Sequence, residues 1–355
     1  MKTTIVLGTR PEIIKLAPLL KKLRRNTTVI FSGQHYDYNM SLQFMDQLGL
    51  PTPDFSLNLS RNDPAQQMGE MIKKISKILS NLKPDNVIVQ GDTNTVLAAS
   101  LSSLKLKIPI SHVEAGLRSF DWRMPEEHNR IMTDHISDIL FAPTEYSEKN
   151  LKNEHVHGDI FVTGNTVIDS INIFSKISKR KSSLEIIFDD FVLITLHRSE
   201  NVDDKIILSS IIQAILKSNV NFIFPVHPRT LKHLKEFNLY EKLKNSKNVL
   251  IIPSVGYFEI LELMKKCLFI LTDSGGLQEE STASSIRKKV LVVRETTDRP
   301  ESTSSDLSEI VGVNPEKILR SINKTLKNPK IESNEFPFGN GNSTEKILKI
   351  LNKRF

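Results

Sequence analysis

The chain reads as α/β, with two doubly wound, Rossmann-like domains facing each other across a cleft. Three observations predict this. Short apolar runs alternate with turns and with stretches of helical periodicity, the order that builds parallel sheets covered on both faces. At 355 residues the chain is long for one hydrophobic core. The strand–turn–helix cycle also breaks once, over the polar, basic stretch 175–190, and then starts again. The domains are therefore expected at 1–170 and 171–338, with 339–355 as a closing helical segment.

Residues 3–7 form the first strand. Gly8-Thr9-Arg10-Pro11 then turns into a helix, with Thr9 placed to cap it and Pro11 in its first turn. Ile13, Leu16, Ala17, Leu20 and Leu23 recur at helical spacing. The second strand, 27–31, ends in Ser32-Gly33-Gln34-His35, and an amphipathic helix is expected over 65–79. Strand 87–90 ends in Gly91-Asp92-Thr93, and strand 108–113 leads into Glu114. Strands 139–142 and 160–162 complete the first cycle, each followed by a turn and a helix. In the second cycle, strand 191–196 ends in His197-Arg198 and strand 221–226 in His227-Pro228-Arg229. Strand 248–252 ends in Pro253, 268–272 in Asp273-Ser274-Gly275-Gly276, and 289–293 runs on to Arg299 and Pro300. A last amphipathic helix covers 343–351.

Composition narrows the class. With 39% hydrophobic and 25% charged residues the chain is an ordinary globular sequence. It has no apolar run near the roughly 20 residues that span a bilayer, and no signal-peptide pattern opens it. The single cysteine, Cys267, excludes an internal disulfide framework and points to a reducing, cytosolic setting, with Cys267 itself in the core. The net charge of +7 comes from lysines scattered along helices, so neither a nucleic acid nor a membrane is an expected partner, although an anionic small molecule is.

Ligands of doubly wound sheets bind beyond the carboxyl ends of the strands, which is where the polar motifs sit. The first turn, G-T-R-P-E-I-I-K, sets Arg10 at a helix N-terminus and Lys15 one turn on, an arrangement suited to phosphate. An ordinary cap with exposed cations is the alternative. The turn D-S-G-G-L-Q-E-E, 273–280, lets backbone approach a ligand at Gly275 and Gly276; Ser274 adds a hydroxyl and Glu280 a partner for a vicinal diol. Neither turn carries a dinucleotide or P-loop fingerprint, so no such cofactor is expected. Asp92, Glu114 and Glu126 are the candidate acid–base groups, the last two within the densely charged stretch 111–130. Pairing of Glu114 or Glu126 with Arg118, Arg123 or Arg130 is the structural alternative. His197 and His227 end strands on one edge of the second sheet; the nine histidines lack ligand spacing, so no metal is expected.

Taken together, GTRPEIIKLAP (8–18), GQH (33–35), GDTNT (91–95), HVEAGLR (112–118), MPEEHNR (124–130), FAPTE (141–145), VTGNTVID (162–169), LHRSEN (196–201), PVHPR (225–229), TDSGGLQEE (272–280) and TTDRPE (296–301) resemble the non-hydrolysing UDP-N-acetylglucosamine 2-epimerases, in the family's order along nearly the whole chain. The resemblance implies the fold of nucleotide-sugar glycosyltransferases (GT-B type), with the last helix crossing back to the first domain, and a homodimer. It assigns Arg10, Lys15, His197, Ser274, Gly275, Gly276, Glu280 and Arg299 to the UDP moiety, and Asp92, Glu114 and Glu126 to acid–base work, with His197 also in the catalytic set. The implied chemistry is anti elimination of UDP to a 2-acetamidoglucal and re-addition with inversion at C2, without a cofactor. Family members also use two glutamines after the second strand to bind a second UDP-sugar; Gln34 stands at one of these positions and Asp37 at the other. An epimerase of a modified UDP-sugar, such as a diacetamido uronate, is the near alternative, with Arg118 or Arg123 facing its carboxylate; a glycosyltransferase of the same fold is the second.

Overall fold

The computed structural model describes residues 1–23, 26–33, 38–60, 63–297, 299–304 and 306–355, so Gln34, His35, Asp37 and Asp298 lie outside the described residues. The chain forms two compact units: Met1–Ser170 with Phe338–Phe355, and Ile171–Pro337.

In the first unit the strands are β1 (Thr3–Leu7), β2 (Thr27–Phe31), β3 (Phe55–Ser56), β4 (Asn86–Gln90), β5 (Ile110–Val113), β6 (Ile139–Ala142) and β7 (Asp159–Val162). Among the described residues they make one parallel sheet in the order β3-β2-β1-β4-β5-β6-β7. β1, β4, β5 and β6 are buried along their whole length, so β6 and the centres of β1 and β4 read as continuous apolar runs rather than alternating ones, while β5, Ile-Ser-His-Val, buries two polar side chains. β5 starts at Ile110, two residues later than the apolar run suggests. The Ile108 amide still bonds the Ser103 carbonyl at the preceding helix end, and Pro109 has no amide to give to the ladder. The strand order reverses between β1 and β4, so the turns after these two strands flank the crevice of a doubly wound sheet.

The helix Pro125–Ile136 is unusual in burying a polar face. Glu127, Arg130 and Asp134, spaced i, i+3 and i+7, all point inward. The closing helix, Ser343–Arg354, belongs to this first unit, where Asp169 accepts the amides of Ser343 and Thr344 at its start, at 3.2 and 2.9 Å.

The second unit carries β8 (Val192–Thr195), β9 (Phe222–Val226), β10 (Val249–Pro253), β11 (Ile270–Thr272), β12 (Val290–Val292) and β13 (Ser308–Ile310). Their order among the described residues is β10-β9-β8-β11-β12-β13, again all parallel, with the reversal between β8 and β11. Phe222, Phe224, Ile194, Leu271 and the helix residues Ile211 and Ile215 fill its core. Cys267 is buried there, and burial pushes its thiol up to about 12. The polar stretch 175–190 holds one short helix, Ser178–Lys181. Among the described residues no helix is long and apolar enough to cross a membrane.

Candidate active site

In the first unit the two turns at the strand-order reversal are bonded to each other. Gly8 follows β1, and a side chain there would come within 2.2 Å of Ser32 Oγ and 2.4 Å of Thr95 Oγ1, so only glycine lets the turn close. Glu12, buried in the first turn of the following helix, joins the two turns. Its Oε2 accepts the Gly8 amide at 2.5 Å and the Thr9 amide at 3.3 Å, and its Oε1 accepts the Thr93 hydroxyl at 2.6 Å. Thr93 in turn caps the helix after Asp92.

Burial pushes the Glu12 carboxyl from 4.5 up to about 7, against the opposing pull of the Thr93, Gly8 and Thr9 hydrogen bonds. The folded protein therefore keeps a proton on Glu12 between pH 4.5 and 7, where the unfolded chain has released it. Stability is expected to fall as pH rises through that window, by on the order of 3 kcal/mol, and to flatten above it. Glu12→Gln should remove this slope from the urea midpoint measured between pH 5 and 8. A variant curve parallel to wild type would show that Glu12 does not titrate there.

The candidate carboxylates follow from the register. Gln90 pairs with Val113, the Gly91 amide bonds the Val113 carbonyl, and the Glu114 amide bonds Phe141, so Asp92 and Glu114 leave adjacent strands at one edge. Glu114 sits at φ +72°, a left-handed conformation uncommon for its type, and Gly116 follows at φ +82°. A Cβ on Gly116 would approach the Ser147 carbonyl to 2.3 Å, so that turn too is fixed by close packing. The largely buried Glu114 carboxylate receives Lys15 Nζ on both oxygens, at 2.7 and 2.6 Å, and the Asn165 amide at 3.0 Å. Asp92 pairs with Arg130, whose other nitrogen meets Glu127 at 3.0 Å. Glu126 lies exposed on the first turn of its helix.

Of the arginines considered as partners for Glu114 and Glu126, Arg130 pairs with Asp92 and Glu127, and Arg118 and Arg123 pair with other acids. Arg118 bonds Glu154 through two nitrogens, at 2.7 and 2.6 Å, and Asp134 at 2.7 Å; Arg123 grips its neighbour Asp121. Arg10 is exposed, its guanidinium 5.7 Å from the Phe44 ring centre. Lys15 is thus a neighbour of Glu114, and the structure gathers Arg10, Lys15, Asp92 and Glu114 around one end of one sheet.

In the second unit the reversal between β8 and β11 has the same logic. Asp273, fully buried at the end of β11, accepts the amides of His197 and Arg198 and the Asn201 side chain, and its carboxylate lies 3.1 Å from His197 Nδ1. Burial opposes its charge, yet the His197 bonds and the two amides hold it below the usual carboxylate range. His197, half-buried, is thereby held through Nδ1. The His227 ring lies 6.1 Å from that of His197; burial, and then the charge of His197, lower its pKa.

Ser274 caps the helix Gly275–Glu280. A methyl group on Gly276 would meet Ser274 Oγ and Glu280 Oε1 only at 3.8 and 3.9 Å, so internal packing does not demand glycine there. Arg299 is buried against Glu279, its amide held by Thr297 at 3.1 Å. Glu280 lies close enough to Tyr257 to raise its hydroxyl further, after burial, well above the ordinary value.

The sequence reading missed Glu12, Asn165, His112, Asp134 and Asp273. Asp134 carried the clearest signal, a third inward position on a helix already marked by Glu127 and Arg130.

Residues 20–352 match the family model described as UDP-N-acetylglucosamine 2-epimerase. The UDP-N-acetylglucosamine 2-epimerase of Methanocaldococcus jannaschii is 46% identical over 365 residues, covering 99% of both chains. A crystal structure of the M. jannaschii enzyme in complex with UDP-GlcNAc and UDP superposes with a TM-score of 0.87 at 45% identity, over 99% of this chain and 100% of that one. The UDP-2,3-diacetamido-2,3-dideoxy-D-glucuronate 2-epimerase of Pseudomonas aeruginosa is 37% identical, over 99% of this chain and 100% of its own length.

Proposed function

The chain belongs to the UDP-N-acetylglucosamine 2-epimerase family, and on that premise we propose that it interconverts UDP-N-acetylglucosamine and UDP-N-acetylmannosamine. The observation that carries this reading is Glu114, a carboxylate set at the crevice edge of the first sheet by Lys15 and Asn165, one strand from Asp92. A reaction that removes a proton from a carbon beside a leaving group needs carboxylates placed in this way.

In the proposed reaction a carboxylate takes the C2 proton while the C1–O bond to UDP breaks, the electron pair leaving with UDP and a 2-acetamidoglucal remaining. UDP then re-adds at C1, and C2 receives a proton on the opposite face. Asp92, Glu114 and Glu126 serve as the acid–base groups. Arg10, Lys15, His197, Ser274, Gly275, Gly276 and Arg299 hold the diphosphate, stabilising the charge that builds on it, and Glu280 takes the ribose diol. The bare backbone at Gly276, which internal packing does not require, supports close approach of that ligand.

The unmodified sugar is favoured over a uronate because Arg118 is committed to Asp134 and Glu154, and Arg123 to Asp121. A C6 carboxylate would have to break the buried Arg118 pairs or draw the exposed Arg123 away from Asp121. The protein is further proposed to act in the cytosol as a homodimer, which light scattering on the purified chain tests for oligomeric state.

Incubating the enzyme with UDP-GlcNAc in D2O and following C2 by proton NMR tests the reaction. Deuterium at C2 together with UDP-ManNAc is expected. Bound substrate with neither change would leave the epimerase reading without support, and transfer of the sugar to an acceptor would favour a glycosyltransferase.

A further inference from the structure

The chemistry proposed above uses neither His112 nor Asp134, although both side chains are completely buried at its base. His112, on β5, places Nδ1 2.7 Å from Asp134 Oδ1 and Nε2 2.8 Å from the Gly91 carbonyl oxygen. A carbonyl oxygen only accepts, so Nε2 carries a hydrogen. The other oxygen of Asp134 receives the Gly116 amide at 3.1 Å and Arg118 at 2.7 Å, which hold that group as a carboxylate. Burial opposes this charge, but His112 and Arg118 keep Asp134 below the usual range. Facing a carboxylate, Nδ1 also donates. Both ring nitrogens of His112 thus face acceptors, in a buried group where Arg118 joins Asp134 to Glu154, which also has His135 at 3.5 Å.

The two ends of this pair reach the two turns that matter. Gly91 immediately precedes Asp92, and Gly116 closes the left-handed turn that begins at Glu114. The helix that supplies Asp134 also supplies Arg130 to Asp92 and carries Glu126 at its start. One buried ion pair therefore sets both turns against one helix.

We propose that His112, as a buried imidazolium paired with Asp134, is a positioning residue that fixes the relative placement of Asp92 and Glu114. Its link to turnover rests on the epimerase reading, but its charge state does not.

Two measurements test it on the full chain. In wild-type protein labelled with 15N-histidine at pH 7.5, long-range 1H–15N correlations should show both nitrogens of His112 protonated, the signal being assigned by its loss in His112→Gln. An unprotonated nitrogen on His112 overturns the proposal whether or not Asp134→Asn folds. Asp134→Asn should lower kcat by on the order of tenfold to a hundredfold, through misplacement of the carboxylates, while UDP affinity, read by calorimetry, changes less than twofold. Unchanged kcat, or an equal loss of UDP affinity, refutes the positioning role. Absence of C2 exchange in the wild type would instead sink the epimerase reading and leave the NMR result standing.

Discussion

Glu114→Gln should fold, bind UDP within about twofold of wild type, and lose turnover and C2 exchange together, by on the order of a thousandfold. Both carboxylate oxygens are in contact with Lys15 Nζ, so the amide must turn its NH2 toward an ammonium on one side. The variant thereby loses the proton acceptor and also loosens the lysine. The Ser274–Glu280 turn lies on the other unit and Lys15, also assigned to the diphosphate, is still present, so UDP binding kept within about twofold, together with an unchanged circular dichroism spectrum, separates these effects from general damage. Glu126→Gln is the informative control: its side chain is exposed on the first helical turn, so stability should stay within about 0.5 kcal/mol of wild type. Turnover of Glu114→Gln within tenfold of wild type would remove Glu114 from the acid–base set and leave Asp92 and Glu126 to carry the chemistry.

The fold was legible because its central strands are buried on both faces, which makes β1, β4 and β6 largely apolar runs between turns. The short edge strands β3 and β13 carry too little burial to leave such a mark; Phe55 and Ser56 are exposed or half-exposed. The strand order is likewise not written in any local pattern, yet it decides that the turns at Gly8 and Asp92 meet.

Asp92 and Glu114 could be picked out as candidates because each stands in a polar motif at a strand end, and Glu126 because it opens the helix that follows in the same charged stretch. Their supports could not. Glu12 looks like an ordinary first-turn acid until the β1–β4 pairing buries it against Thr93. His112 sits in an apolar strand, where a lone histidine suggests packing, and its partner comes from 22 residues away on the next helix. Such pairings depend on how a crossover helix docks on the sheet, which periodicity alone does not specify.

The second large effect belongs to Arg118. Its side chain is almost completely buried; burial works against its charge, but the bonds to Glu154 and Asp134 hold its pKa above the ordinary value. Arg118→Met keeps the aliphatic bulk and removes the charge, leaving Asp134 with His112 as its remaining charged partner. Removing one partner of a buried pair typically costs about 3–5 kcal/mol, so the urea midpoint followed by circular dichroism should fall accordingly. Arg118→Lys should recover only part of this, because a lysine cannot span Glu154 and Asp134 with a planar fork. Adding Asp134→Asn to Arg118→Met should cost less than the sum of the single changes, since the stranded carboxylate is then gone. The opposite outcome, a fully stable Arg118→Met that has lost only substrate binding, would mean that the guanidinium serves a ligand. It would then be available to a sugar carboxylate, and the balance would move from UDP-N-acetylglucosamine toward a uronate.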